Sequence, residues 1–110
     1  MHDETFSINK LVRDNIPSII NESGNQCNYR ILNDEEYGKE LERKIIEEFH
    51  EYEQSHNSEE LADLLEVIYA CAAQMGISEN QLNQIRQEKR LKRGGFLKKY
   101  YLETVYNKNS

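Results

Sequence analysis

The apolar residues of this chain recur at helical spacing. Between positions 33 and 54 they fall at Tyr37, Leu41, Ile45, Ile46, Phe49 and Tyr52. Steps of three and four place these residues on one stripe of a helix. Asn33 followed by Glu36 matches a capping box, which puts the start of that helix at Asn33. The polar run Gln54-Ser55-His56-Asn57 interrupts the stripe. Ser58 then reads as the N-cap of a second helix, with Glu59 and Glu60 in its first turn beside the positive end of the helix dipole. Over residues 61–73 nearly every position is apolar or small, with Asp63 and Glu66 the exceptions, and Gly76 is placed to end the run. A helix apolar on almost all sides is expected to be central and buried. Ser78 with Gln81 gives a further capping signature, opening a helix that carries Leu82, Ile85 and Leu91 and stops at Gly94-Gly95. Before these elements, Pro17 suits the first turn of a short helix that runs through Ile19 and Ile20 and ends at Ser23-Gly24-Asn25. Residues 27–32 read as extended, and the aromatic tail over residues 96–106 is apolar enough to need a surface to pack on.

The pattern therefore predicts an all-α fold whose central element is an antiparallel helical hairpin. The 110 residues fit one domain, spanning 1–110. Charged residues make up 31% and apolar residues 37%, but the clustering of the apolar set argues against disorder throughout. A chain this short buries a modest core, so completion by a homodimer or homotetramer is expected. Cys27 and Cys71 form no CxxC pair. No signal peptide is recognisable and no apolar stretch is long enough to span a bilayer, so no membrane association and a reduced, cytoplasmic setting are expected.

Charge changes the picture more by its distribution than by its total. The net charge of −6 argues against a general nucleic-acid partner. Residues 47–66 contain eight of the twenty acids, and residues 86–99 contain seven of the fourteen bases. Within the acidic zone, Glu48 and Glu51 share one face of the first long helix, and Glu48 lies beside the apolar stripe, a costly place for a charge. Glu60 and Asp63 repeat the spacing on the next helix. Fold the two helices about the turn, and the pairs Glu48–Asp63 and Glu51–Glu60 are both centred between positions 55 and 56. Four carboxylates would then meet at one level. Ionised, they repel by on the order of 1 kcal/mol or more per close pair, which a cation would offset. Oxygen ligands alone suit Mg²⁺, Mn²⁺ or Ca²⁺, and Mg²⁺ keeps positions for water and phosphate. A metal site and a solvated acidic face are the two readings of this spacing. Zinc of the HExxH kind is excluded, because the second histidine would fall at Gln54.

The run Glu47-Glu48-Phe49-His50-Glu51 followed by Glu60-Leu61-Ala62-Asp63 resembles the EExxE…ExxD signature of the MazG-like all-α NTP pyrophosphatases. With Lys10-Leu11-Val12-Arg13-Asp14 and the segment from Lys89 to Phe96, the chain resembles the phosphoribosyl-ATP-pyrophosphatase-like branch over most of residues 8–105. The resemblance implies Mg²⁺-dependent cleavage between the α- and β-phosphates of a nucleotide, with Mn²⁺ as the alternative ion. It implies Glu48, Glu51, Glu60 and Asp63 as metal ligands, and Glu47 and Glu48 at the chemical step, Glu47 as a general base or a support behind the ligands. Lys10, Arg13, Lys89, Arg90 and Arg93 would hold phosphate oxygens. Only eight residues separate Glu51 from Glu60, fewer than the broad family pattern, which leaves the base pocket and hence the substrate open. The rivals are a dedicated phosphoribosyl-ATP pyrophosphatase of histidine biosynthesis, a non-catalytic helical interaction module, and an RNA-binding role for the basic segment.

Overall fold

The structure, a computed structural model, describes residues 5–109. They form four α-helices and no strand: α1 Ile16–Glu22, α2 Asp34–Ser55, α3 Ser58–Gln74 and α4 Glu79–Arg93. Residues 27–32, expected to be extended, pair with no strand and remain irregular. Among the described residues, no single helix is long and apolar enough to cross a membrane.

The helix ends follow the capping chemistry, with two differences. Asn33 accepts from the Glu36 amide at 2.9 Å, but the Glu36 carboxylate does not return to Asn33. It forms a two-pronged pair with Arg30 instead, at 3.3 and 2.8 Å, which a guanidinium fork makes more favourable than one backbone amide. The second difference is at α3, where the cap is Asn57 rather than Ser58. Asn57 is extended (φ −100°, ψ 159°) and accepts from the Glu60 amide at 3.1 Å. His56 turns the chain in one left-handed step (φ 52°, ψ 31°), so only two residues separate α2 from α3 and Ser58 already lies in the helix. At α4 the full capping box forms: the Ser78 hydroxyl accepts from the Gln81 amide at 3.2 Å and Gln81 Oε1 from the Ser78 amide at 2.8 Å. Gly76, at φ 81°, provides the left-handed residue that lets the Ile77 amide reach back to the Ala72 carbonyl and close α3.

Helices α2 and α3 pack as the antiparallel hairpin, and α4 packs only on α3. The hairpin register holds to its far end, where Gln74 Nε2 donates to the Asp34 carbonyl at 2.9 Å. The bend between α3 and α4 is 106°. Asn83 Nδ2 donates to the Tyr69 hydroxyl at 3.1 Å across it.

The core of one chain is thin. Among the described residues, Leu41 and Ala72 are its buried apolar residues. Helix α3 is central by position, yet the expectation that it is buried on nearly all sides is not met within a single chain: Leu61, Leu65 and Ile68 are 48%, 46% and 37% exposed. They recur at steps of four and three and form an apolar stripe on α3, and Ile46 and Phe49 on α2 are exposed as well. The large apolar side chains of the tail are left exposed, Phe96 to 96%. The radius of gyration is 20.0 Å, against roughly 13 Å for a compact domain of this length.

Candidate metal centre

Helix α2 contributes Glu48, and the first turns of α3 contribute Glu60 and Asp63. Each offers a carboxylate oxygen within 4.8 Å of the others. The placement follows from the hairpin: a turn of two residues fixes the register, and the capped start of α3 sets Glu60 and Asp63 one turn apart on the side that faces α2. All three side chains are half-buried.

The local electrostatics record the crowding. Burial, followed by the charges of Asp63, Glu47 and Glu60, pushes the Glu48 carboxyl above its ordinary value, although Lys44 at 3.8 Å opposes this. Burial, Glu51, Asp63 and Glu59 push Glu60 up as well. Glu47 goes the other way. Burial works against its charge, but Lys10 at 3.1 Å and Lys44 at 3.2 Å outweigh burial and hold it below the usual carboxylate range. Arg13 Nη2 donates to Asp63 Oδ1 at 2.6 Å.

Of the four expected ligands, the structure brings three together. Glu51 is exposed and lies outside the group, close enough to act on the charge of Glu60. Lys10 and Arg13 reach the site from an irregular segment 37 and 50 residues away in sequence. Lys89, Arg90 and Arg93 do not reach it within one chain. They sit in the later turns of α4, beyond the 106° bend. At 1.5 Å per residue, Arg90 and Asp63 are then roughly 20–30 Å apart. Lys44 is the site residue that the sequence pattern did not single out. The signal was present in its spacing, three and four positions before Glu47 and Glu48 on one helix.

Three hard oxygen donors suit Mg²⁺ or Mn²⁺. The three oxygens lie within 4.8 Å of one another, against roughly 3.0 Å between adjacent and roughly 4.2 Å between opposite ligands of an octahedral Mg²⁺ shell, so rotamer shifts would have to draw them together on an ion. An open groove of about 360 Å³ lies between the segment around Lys10 and Leu11 and the face of α2 that carries Arg43, Lys44, Ile46 and Glu47; none of the three carboxylates lines it. No family model, curated protein or solved structure matches this chain.

Proposed function

We propose that this protein is a divalent-cation-dependent pyrophosphohydrolase that cleaves the α–β bond of a nucleotide polyphosphate, giving a nucleoside monophosphate and pyrophosphate. The observation that carries this reading is the convergence of Glu48, Glu60 and Asp63 from two helices of a tight hairpin. Structural ion pairing alone gives no reason to collect three carboxylates at a half-buried place where two of them are driven toward protonation. A bound Mg²⁺ would lower the pKa of a water and offset phosphate charge. Glu48, Glu60 and Asp63 would hold it. Lys10 and Lys44, already fixed on Glu47, stand where a polyphosphate entering the groove they line would meet them. Because those lysines keep Glu47 ionised, Glu47 is suited to anchoring them and less to taking a proton at neutral pH.

The functional unit is a homodimer or homotetramer. The stripe of Leu61, Leu65 and Ile68 on α3 is apolar and bare in one chain, and Phe49 on α2 is exposed as well. A second copy would cover it, and it is also the means by which Lys89, Arg90 and Arg93 could approach a carboxylate group that they do not reach in their own chain.

One observation favours a binding module instead: Arg13 and Lys44 already pair with Asp63 and Glu48 of the acidic group. Product analysis separates the two readings. The purified protein, given Mg²⁺ and a panel of NTPs, dNTPs, modified nucleotides and phosphoribosyl-ATP, should release pyrophosphate and a monophosphate and stop in EDTA. A strong preference for phosphoribosyl-ATP would assign the biosynthetic role. No turnover of any member by folded protein would favour the binding module.

A further inference from the structure

Residues 96–106 form an arm that one chain leaves bare. Seven of its eleven residues are large and apolar or aromatic, Phe96, Tyr100, Tyr101 and Tyr106 among them, and all seven are at least 78% exposed. The arm follows α4, which leaves the hairpin at 106°. The molecule is 79 Å long, whereas α2, its longest helix, accounts for about 33 Å. Gly94, at φ 83°, joins the arm to α4. A Cβ at Gly94 or Gly95 would meet nothing within 4 Å, so the junction is free of packing and can pivot.

The same chain carries a second bare surface, the α3 stripe of Leu61, Leu65 and Ile68. The two surfaces match in length, area and charge. Eleven extended residues reach about 36 Å, and α3 is about 25 Å long, so one arm can cover the whole helix. Four aromatic side chains can bury roughly 150–250 Å² each. That is about 600–1,000 Å² per arm, near the roughly 800 Å² per partner of a standard interface. Residues 86–99 hold seven of the fourteen bases, including Lys98 and Lys99 within the arm, while residues 47–66 of the hairpin hold eight of the twenty acids. Within one chain the two surfaces are tethered at high local concentration, yet both stay exposed. The arm begins at the far end of α4, about 22 Å from α3, and would have to double back to reach its own stripe.

We propose that residues 96–106 are an exchanged arm: each crosses to a second copy of this chain and covers the α3 stripe of that copy, with Lys98 and Lys99 meeting the acids of its hairpin. In a twofold pair each copy lends one arm and receives one, so the interface closes without leaving a sticky end. This inference rests on the homo-oligomer proposed above and names the segment that forms it.

The test is sedimentation equilibrium of full chains: wild type, Tyr101→Asp, Leu65→Lys, and an equimolar mixture of the two variants. Both positions are exposed in one chain, so circular dichroism should show unchanged helicity for each variant. Each substitution should raise the dissociation constant about 100-fold, about tenfold at each of the two dockings it damages. The mixture should recover at least about tenfold of that loss. In the mixed pair one docking carries neither substitution, and in the other the two introduced charges are opposite. Tyr101→Asp that associates as tightly as wild type would overturn the arm while leaving a homo-oligomer built stripe against stripe. Two weakened variants whose mixture associates no better than either alone would overturn the exchange and place the arm on its own chain. A wild type that is monomeric at all concentrations would remove the second copy itself, an outcome distinct from both.

Discussion

Glu48→Gln should make the metal-free protein more stable and the metal-loaded protein comparatively less so. Glu48 lies within 4.8 Å of oxygens on Glu60 and Asp63. At that distance each pair repels by about 0.9 kcal/mol even with the dielectric of water. Lys44, at 3.8 Å, returns about 1.1 kcal/mol. Burial of the Glu48 carboxylate adds to the repulsive side, and the hold of Arg13 on Asp63 subtracts from it. The two repulsions less the Lys44 attraction leave about 0.7 kcal/mol against the charged form. Gln keeps the shape and removes that charge, so the midpoint of thermal unfolding in EDTA should rise by about 3–5 °C. With millimolar Mg²⁺ at the same protein concentration, wild type should gain stability by mass action and the variant should gain less. The pH dependence has a definite sign. Glu48 is raised above 4.5 in the folded state, so the folded protein binds more protons there than the unfolded chain does, and stability falls as pH rises from 4.5 through the raised value. Glu48→Gln should flatten that fall. Circular dichroism melts from pH 4 to 8, with and without Mg²⁺, read all three effects. A variant less stable than wild type in EDTA, or one that responds to Mg²⁺ as strongly as wild type, would contradict the assignment of Glu48.

Three further outcomes follow from particular contacts. Asn57→Ala should lose about 1 kcal/mol in denaturant unfolding while Ser58→Ala stays within about 0.5 kcal/mol, because Asn57 caps α3. Phe49→Glu, at an exposed apolar position of α2, should shift sedimentation from an oligomer toward a monomer, and a wild type that sediments as a monomer at all concentrations would remove the proposed interface. Cation affinity measured by calorimetry should weaken as pH falls, beginning above the usual glutamate range. Glu48 and Glu60 bind protons there in competition with the ion.

The sequence made some of this site visible and concealed the rest, for physical reasons. Helix starts were legible because Asn33, Ser78 and their partners three residues on are local signals. The cap of α3 was misplaced by one position because Asn57 and Ser58 are equally good caps, and the left-handed turn at His56 decides between them. Glu48, Glu60 and Asp63 were legible because a two-residue turn makes register a matter of counting. Glu51 fits the same count but lies on the exposed side, since level with the partner helix is not the same as facing it. The pairing of Arg13 with Asp63 spans 50 residues, and no periodicity encodes a contact made by an irregular segment. The burial of α3 was overstated because an apolar pattern reports that a surface needs covering and not which chain covers it.

The decisive comparison is Mg²⁺-dependent pyrophosphate release by wild type and by Glu60→Gln and Glu51→Gln, at equal concentrations of folded protein. Partners behind metal ligands already cost 10–100-fold when removed, so loss of Glu60 should lower the rate by about 100-fold or more. Glu51→Gln, outside the three-carboxylate group, should retain far more of it. Undiminished release by Glu60→Gln, or no release by wild type from any nucleotide, would show that these carboxylates do not hold a catalytic cation.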